Sequence, residues 1–284
     1  MILLLGASSY VGQHIYGGLS SASVIATHNS KPVSGSIHFD VTRMDLASIL
    51  PEGADVTHAL ILYAETRLDA CKADLKRSYE LNVSSTKKVI DQLVDRGIKP
   101  IFTSSEYVFD GEKGGYTEDD PAHPTTVYGS QKVEIEQYLD QRCPDYATLR
   151  LAKVFGTDPN DRTILSGWLD QIRDGEEIRC ARDQVYSPIH IDDVVASANA
   201  AVRLNLSGVY HVANPKPWSR LGMLRALLSA IKADANVVEC SIRDFDFLDN
   251  RPLDLSMEPG KIMEAASLQF KTVPVACAEL SDRM

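Results

Sequence analysis

The chain has 284 residues, 44% of them hydrophobic and 24% charged, and 29 basic against 39 acidic residues leave a formal net charge of −10. That apolar fraction excludes an intrinsically disordered chain, and 17 glycines and 13 prolines exclude collagen-like and low-complexity classes. The negative balance argues against a duplex nucleic-acid binder, which needs a basic face, but leaves room for a local basic pocket around an anionic ligand.

The chain is long enough for one large domain with a smaller lobe. Its five cysteines, Cys71, Cys143, Cys180, Cys240 and Cys277, are odd in number, widely spaced and without a CxxC pair. This argues against a disulfide framework or a zinc site and fits reduced thiols in the cytoplasm. No apolar run reaches the roughly 18 residues of a membrane helix, and Met1 leads straight into Ile2–Leu5 with no basic segment of a signal peptide. The expectation is a cytoplasmic protein with no membrane and no nucleic-acid partner.

In chain order, short apolar runs at Ile2–Leu5, Val24–Thr27, Ile37–Phe39, His58–Tyr63, Pro100–Ser104 and Ala147–Leu151 read as strands. Between them, 11–20, 44–50, 75–96 and 127–142 read as helices. Continuous apolar strands alternating with helices predict an α/β fold, a doubly wound parallel (Rossmann) sheet covered on both faces. Beyond Gly156 the pattern changes. Helices are expected at 163–173, at 192–203 with Asp192 as cap, and at 221–232, with a strand at Val209–Val212 and an irregular tail containing Pro252, Pro259 and Pro274. The predicted division is 1–156 for a dinucleotide-binding domain and 157–284 for a smaller C-terminal α/β substrate lobe, with chain segments free to interleave.

Three motifs carry chemistry. The first is Gly6-Ala7-Ser8-Ser9-Tyr10-Val11-Gly12, between a strand and a helix. Gly6 suits a tight turn close to a pyrophosphate, Gly12 suits close packing of helix on strand, and the helix N-terminus offers N–H groups to phosphate. Ser9 stands where a middle glycine is usual. The second is Thr27-His28-Asn29-Ser30-Lys31 at the end of the second strand. NAD-selective folds place an acid there, whereas here no carboxylate comes before Asp40, which favours NADP. The third pairs Tyr128-Gly129-Ser130-Gln131-Lys132 with Thr103-Ser104-Ser105-Glu106-Tyr107. Tyr128 and Lys132 share one helix face, so an ammonium can favour the phenolate, and Ser105 at the carboxyl edge of the sheet can orient a reacting oxygen.

Together these features resemble the extended short-chain dehydrogenase/reductase superfamily, and within it dTDP-4-dehydrorhamnose reductase-like sugar-nucleotide reductases. SSEYVFDG (104–111) is similar to that family's S-T-D-Y-V-F-x-G, followed by V-Y-G-x-x-K at 127–132. Leu68-Asp69-Ala70-Cys71 with Asn82-Val83, Leu149-Arg150-Leu151 to Val154-Phe155-Gly156, Asp183-Gln184 with Ser187-Pro188 and Asp192-Asp193, Gly208-Val209-Tyr210-His211, and Arg251-Pro252 resemble its other landmarks in order. The resemblance implies Ser105, Tyr128 and Lys132 as catalytic residues. It implies cofactor contacts from Gly6, Ser8, Ser9, Tyr10, Val11, Gly12, His28, Asn29, Ser30, Lys31, Asp40, Val41, Tyr63, Ala64, Thr66, Thr103, Ser104, Tyr128 and Lys132, and substrate contacts from Ser105, Glu106 and Tyr107.

The activity implied is NADPH-dependent reduction of a keto group on a nucleotide-linked deoxy sugar, in a possible homodimer and with no metal. Tyr63-Ala64-Glu65 departs from the family's alanine-rich run and sets a ring and an acid beside the expected groove. Alternatives are an epimerase of the same superfamily and a non-catalytic cofactor-binding regulatory subunit. A 4,6-dehydratase is disfavoured, because its Thr-Asp-Glu run is here Ser105-Glu106-Tyr107. His190 is expected at the lobe junction rather than on a metal, Asp119-Asp120 in a solvated loop, and Trp168 and Trp218 in the second half, stacked on a ligand or packed in the core.

Overall fold

A computed structural model describes residues 1–19, 24–51 and 53–284, so Ser20, the last position predicted for the first helix, lies outside the described residues. Six strands, β1 (Ile2–Leu5), β2 (Val24–His28), β3 (Ile37–His38), β4 (His58–Ile61), β5 (Lys99–Ser105) and β6 (Ala147–Leu151), join Gly208–Val212 in one sheet. The order is Gly208–Val212, β6, β5, β4, β1, β2, β3, and every pairing is parallel. The chain moves outward one way through β2 and β3 and the other way through β4, β5 and β6. The reversal beside β1 opens a crevice at the carboxyl ends of the strands, where ligands bind in such sheets.

Alternation along each strand divides the core in two. Leu4, Leu60, Ile101 and Leu149 face one side, where Ile15 of helix α1 (Tyr10–Gly18) packs with them. Leu3, Leu5, Ile61 and Phe102 face the other, against Val89, Ile90 and Leu93 on one helix and Ile135 and Leu139 on another. All of these are essentially solvent-free. Each buried Leu or Ile contributes about 1.5–3 kcal/mol, which is why continuous apolar runs suffice to order the sheet.

Between β4 and β5 the single helix predicted for 75–96 is interrupted. Helices α2 (Leu68–Ala73) and α3 (Leu75–Tyr79) lead into a π-helical turn at Glu80–Ser84 and then α4 (Ser85–Val94). The predicted helix at 44–50 shrinks to one 3-10 turn, Leu46–Ser48: Asp45 before it is extended, with φ −108° and ψ 152°, and makes no side-chain cap bond, and Pro51 follows closely. Helix α5 (Val127–Arg142) fills its predicted span, with the Thr126 hydroxyl accepting from Gly129 N.

The later chain contains α6 (Ile164–Arg173), α7 (Ile191–Arg203) and α8 (Arg220–Ile231). His190, not Asp192, caps α7, its Nδ1 accepting from Asp192 N at 3.2 Å. Helix α7 packs against α1, so this part of the later chain completes the large layer. Phe155, Leu165, Trp168, Leu224, Leu227 and Leu280 form a separate core. The tail is helical at Gly260–Ala266 and Val273–Asp282 rather than irregular. Pro259 precedes the first, and Pro274 lies in the opening turn of the second, where a missing N–H costs no helical bond. All five cysteines are buried free thiols. None of the described helices is long and apolar enough to cross a membrane.

Candidate active site

The loop after β1 is built to let something approach its backbone. Gly6 has φ +97°, and a Cβ there would come within 2.9 Å of Tyr63 N; one on Gly12 would run into the Gly6 carbonyl. The Ser9 hydroxyl accepts from Gly12 N and donates to Gly6 O, both at 3.0 Å, so the residue in the usual glycine place holds the loop closed. No acid occupies the first turn of α1, leaving its positive end open to an anion.

Across the crevice, β5 ends in Thr103, Ser104 and Ser105, and the Glu106–Val108 turn follows. Tyr128 and Lys132, one turn apart on α5, come to the same place. A cavity of about 330 Å³ is lined by Ser9, Tyr10, Val11, Ala64, Thr66, Thr103, Ser104, Ser105, Glu106, Tyr107, Tyr128 and Lys132, together with Leu62 and the stretch Leu151–Val154. Ser104 Oγ is buried and lacks a hydrogen-bond partner. A glycine cradle, an open helix end and an unsatisfied hydroxyl at the switch point fit a dinucleotide.

Lys132 is 4% exposed, and its Nζ donates to the Thr103 carbonyl at 2.7 Å and lies 5.5 Å from the Tyr128 ring centre. Burial pushes Lys132 down to about 7, opposed by the charge of Glu136 and by Cys71. Burial raises Tyr128, while the neighbouring Ser105 hydroxyl works against that rise. The amine therefore titrates near neutrality, and the phenol stays protonated, a proton donor at hand for a nascent alkoxide. Glu106 is buried and accepts from Lys153 N at 3.1 Å; burial raises its carboxyl toward the neutral form.

Other expected residues lie outside this cavity. His28 turns its Nδ1 to Ser36 Oγ at 2.7 Å, and Asn29, Ser30 and Lys31 are exposed at the end of β2. Asp40 accepts from the Thr42 N–H and hydroxyl, and Val41 is in the second core. Ser8 lies at the loop without lining the cavity. Tyr63 and Glu65 do not crowd the groove: the Tyr63 side chain packs on the second core, with its backbone and Cβ beside Gly6, and the Glu65 carboxylate pairs with Arg67 at 2.9 Å. Trp168 is core, Asp120 pairs with Lys113 at 2.6 Å in a loop, and buried His190 packs edge-on to Phe155.

Sequence reasoning missed the neighbouring cavity. About 230 Å³ in volume, it shares Glu106, Tyr107 and Lys153 with the first and adds Arg179, Arg220 and Arg251, with Phe245 and Phe247 as a wall. Arg251 is paired with Asp69 at 3.0 Å, whereas Arg179 and Arg220 form no ion pair among the described residues, and Lys153, its amine lowered by burial, feels the charge of Glu106. These cations are scattered over 67 positions of sequence, and no spacing rule joins them. A larger hollow of about 780 Å³ on the far side of Phe245 and Phe247 holds none of the Ser105, Tyr128 and Lys132 set. No group of three or more metal-ligating side chains occurs among the described residues.

Comparison with known proteins gives the family and the fold. The family described as RmlD substrate binding domain matches residues 1–283. A probable low-salt glycan biosynthesis reductase, Agl14, of Haloferax volcanii is 28% identical over 78% of this chain and 77% of its own. Methionine adenosyltransferase 2 subunit beta of Danio rerio is 27% identical over 74% of this chain and 67% of its own. The crystal structure of dTDP-4-dehydrorhamnose reductase from Bacillus anthracis in complex with NADP shares the fold, with a TM-score of 0.86 at 20% identity over 98% of this chain and 97% of that one. With the family matched from end to end, the chain belongs to the RmlD substrate binding domain family of extended short-chain dehydrogenases/reductases.

Proposed function

We propose that this protein reduces a keto group on a nucleotide-linked deoxy sugar at the expense of NADPH. The observation that carries the reading is the meeting of Ser105, Tyr128 and Lys132 in one cavity that runs from the glycine loop to a second, cationic cavity. NADPH, when bound, supplies the hydride. The Gly6–Gly12 loop and the open end of α1 would hold its pyrophosphate. His28, Asn29, Ser30 and Lys31, with no acid among them, suit a 2′-phosphate.

Ser105 would orient the keto oxygen and Tyr128 would deliver the proton, with Lys132 holding positive charge beside the phenol. Glu106 and Tyr107 would contact the sugar. Arg179 and Arg220, which form no ion pair among the described residues, together with Lys153 beside Glu106, suit the diphosphate, and binding energy there would align the sugar for reduction. The sheet layer would thus serve the cofactor and the later lobe the nucleotide.

Purified protein with NADPH and a panel of nucleotide-linked 4-keto-6-deoxy sugars is expected to lose nicotinamide absorbance with at least one of them. No loss with any member of the panel would refute the reductase. Tightly retained NAD with turnover at constant absorbance would instead identify an epimerase, and cofactor binding without any turnover would identify a regulatory subunit.

A further inference from the structure

Helix α5 does not stop contributing at Lys132. Tyr128, Lys132 and Glu136 stand at intervals of four residues, so they follow one another along one stripe of the helix. All three are buried, at 6%, 4% and 9% exposure. Glu136 is clamped by Arg150 of β6, whose Nη2 donates to Oε2 at 2.7 Å and whose Nε reaches both carboxylate oxygens at 3.1 and 3.2 Å. Arg150 also sits 3.3 Å from His211 Nε2 on the next strand and stacks over Phe109 at 5.2 Å. The charge of Glu136 is thus fixed in place from behind. A carboxylate one turn from an amine, both buried from solvent, is felt more strongly than across water.

We propose that Glu136, clamped by Arg150, is a positioning residue that keeps a positive charge on Lys132 inside the catalytic cavity. This rests on the reading of Tyr128 and Lys132 as the proton-transfer pair. The other groups facing Lys132 cannot supply that charge balance. They are the Thr103 carbonyl and Phe102 ring on β5, the Tyr128 ring on α5, and the Cys71 thiol on α2, which burial pushes up to about 11 and so keeps neutral. Around Glu136 the charged neighbours among the described residues are Arg150, Lys132 and, one turn further along α5, the exposed Asp140, which accepts from the Tyr146 hydroxyl at 3.2 Å; the phenol of Tyr146 and the imidazole of His211, which burial holds neutral, lie beside them.

The test is the ionisation midpoint of the Lys132 amine, followed by NMR of lysine-labelled full-length protein, with Lys132→Met identifying the signal. Glu136→Gln keeps shape and removes charge; it is expected to lower the midpoint by about one pH unit or more. Glu136→Gln combined with Arg150→Met removes the whole pair without leaving a buried unmatched guanidinium and is expected to lower it as well, so the test survives if the single variant fails to fold. The pH at which turnover is lost should move down in parallel, while Glu136→Asp should restore it most of the way. An unmoved Lys132 midpoint in a folded charge-removed variant overturns the proposal, reducing the Glu136–Arg150 pair to a structural brace. The NMR midpoint needs no substrate, so wild-type protein inert toward every keto sugar would sink the reductase while leaving this inference to be decided by the titration.

Discussion

At the scale of single residues, the site holds groups that work against stability. Lys132 has its amine in the protein interior, where burial lowers it from 10.5 to about 7. Between those two values the unfolded chain holds a proton that the folded chain has released, so stability rises as pH climbs through that window. Below about 7 the penalty is present in full, on the order of a few kcal/mol. Lys132→Met is therefore expected to abolish turnover and yet melt higher than wild type at pH 6, with the gap closing by pH 10. A variant that melts lower at pH 6 would show that the bond to the Thr103 carbonyl outweighs the cost of burial. Tyr128→Phe removes only the proton donor and leaves the ring packed among Leu68 and Cys71. It should cut kcat by about 10²–10⁴-fold, while NADPH affinity by fluorescence titration stays within about twofold.

At the scale of elements, the interrupted stretch after α2 has a physical cause that also serves the site. The π-helical turn brings Asn82 inward, where its Oδ1 accepts from Glu65 N at 2.8 Å and its Nδ2 donates to Glu65 O at 3.0 Å and Gln131 Oε1 at 2.7 Å. Asn82 thereby pins the Tyr63–Thr66 stretch, which borders the Gly6 turn and the cavity, to α5. Asn82→Ala should cost about 1–3 kcal/mol of stability, read as a lower urea midpoint, because the buried Glu65 and Gln131 groups lose their partner. It should also weaken NADPH binding; unchanged affinity would mean that the stretch holds its shape unaided.

The wider pattern of elements was legible because it rests on local signals. Apolar runs such as Leu3-Leu4-Leu5 and the spacing of Tyr128 and Lys132 are written in consecutive positions, and they led to the sheet and to the pair at its edge. The break at Glu80–Ser84 was hidden, since Ser, Asn and Val there keep helical periodicity and the deciding bonds come from residues 17 and 49 positions away. The cap of α7 was missed for a similar reason. Asp192 is the commoner capping type, but His190 holds the extended backbone from which a side chain can reach Asp192 N. The Glu136–Arg150 clamp and the cationic cavity are set by strand register and lobe packing, which single-sequence periodicity does not reach.

At the scale of the whole molecule, charge is distributed against the average. A chain of net charge −10 repels an anionic ligand over most of its surface, yet Arg179 and Arg220 face one cavity whose one lining carboxyl, Glu106, is raised toward the neutral form by burial and lies beside Lys153. Retaining unmatched cations in a partly enclosed space costs stability, and an anionic substrate would return that energy on binding. If the diphosphate occupies this cavity, Arg220→Met should raise KM for the nucleotide-linked sugar by about tenfold or more, the loss of one charge-assisted contact, with kcat changed less than threefold. It should also flatten the salt dependence. In wild type, KM is expected to climb between 0.05 and 0.5 M salt, roughly as the screening length contracts below the width of the cleft. The outcome that would place the nucleotide elsewhere is an Arg220→Met enzyme with wild-type KM and an undiminished response to salt. A loss confined to kcat would instead put the guanidinium at the sugar rather than at the phosphates.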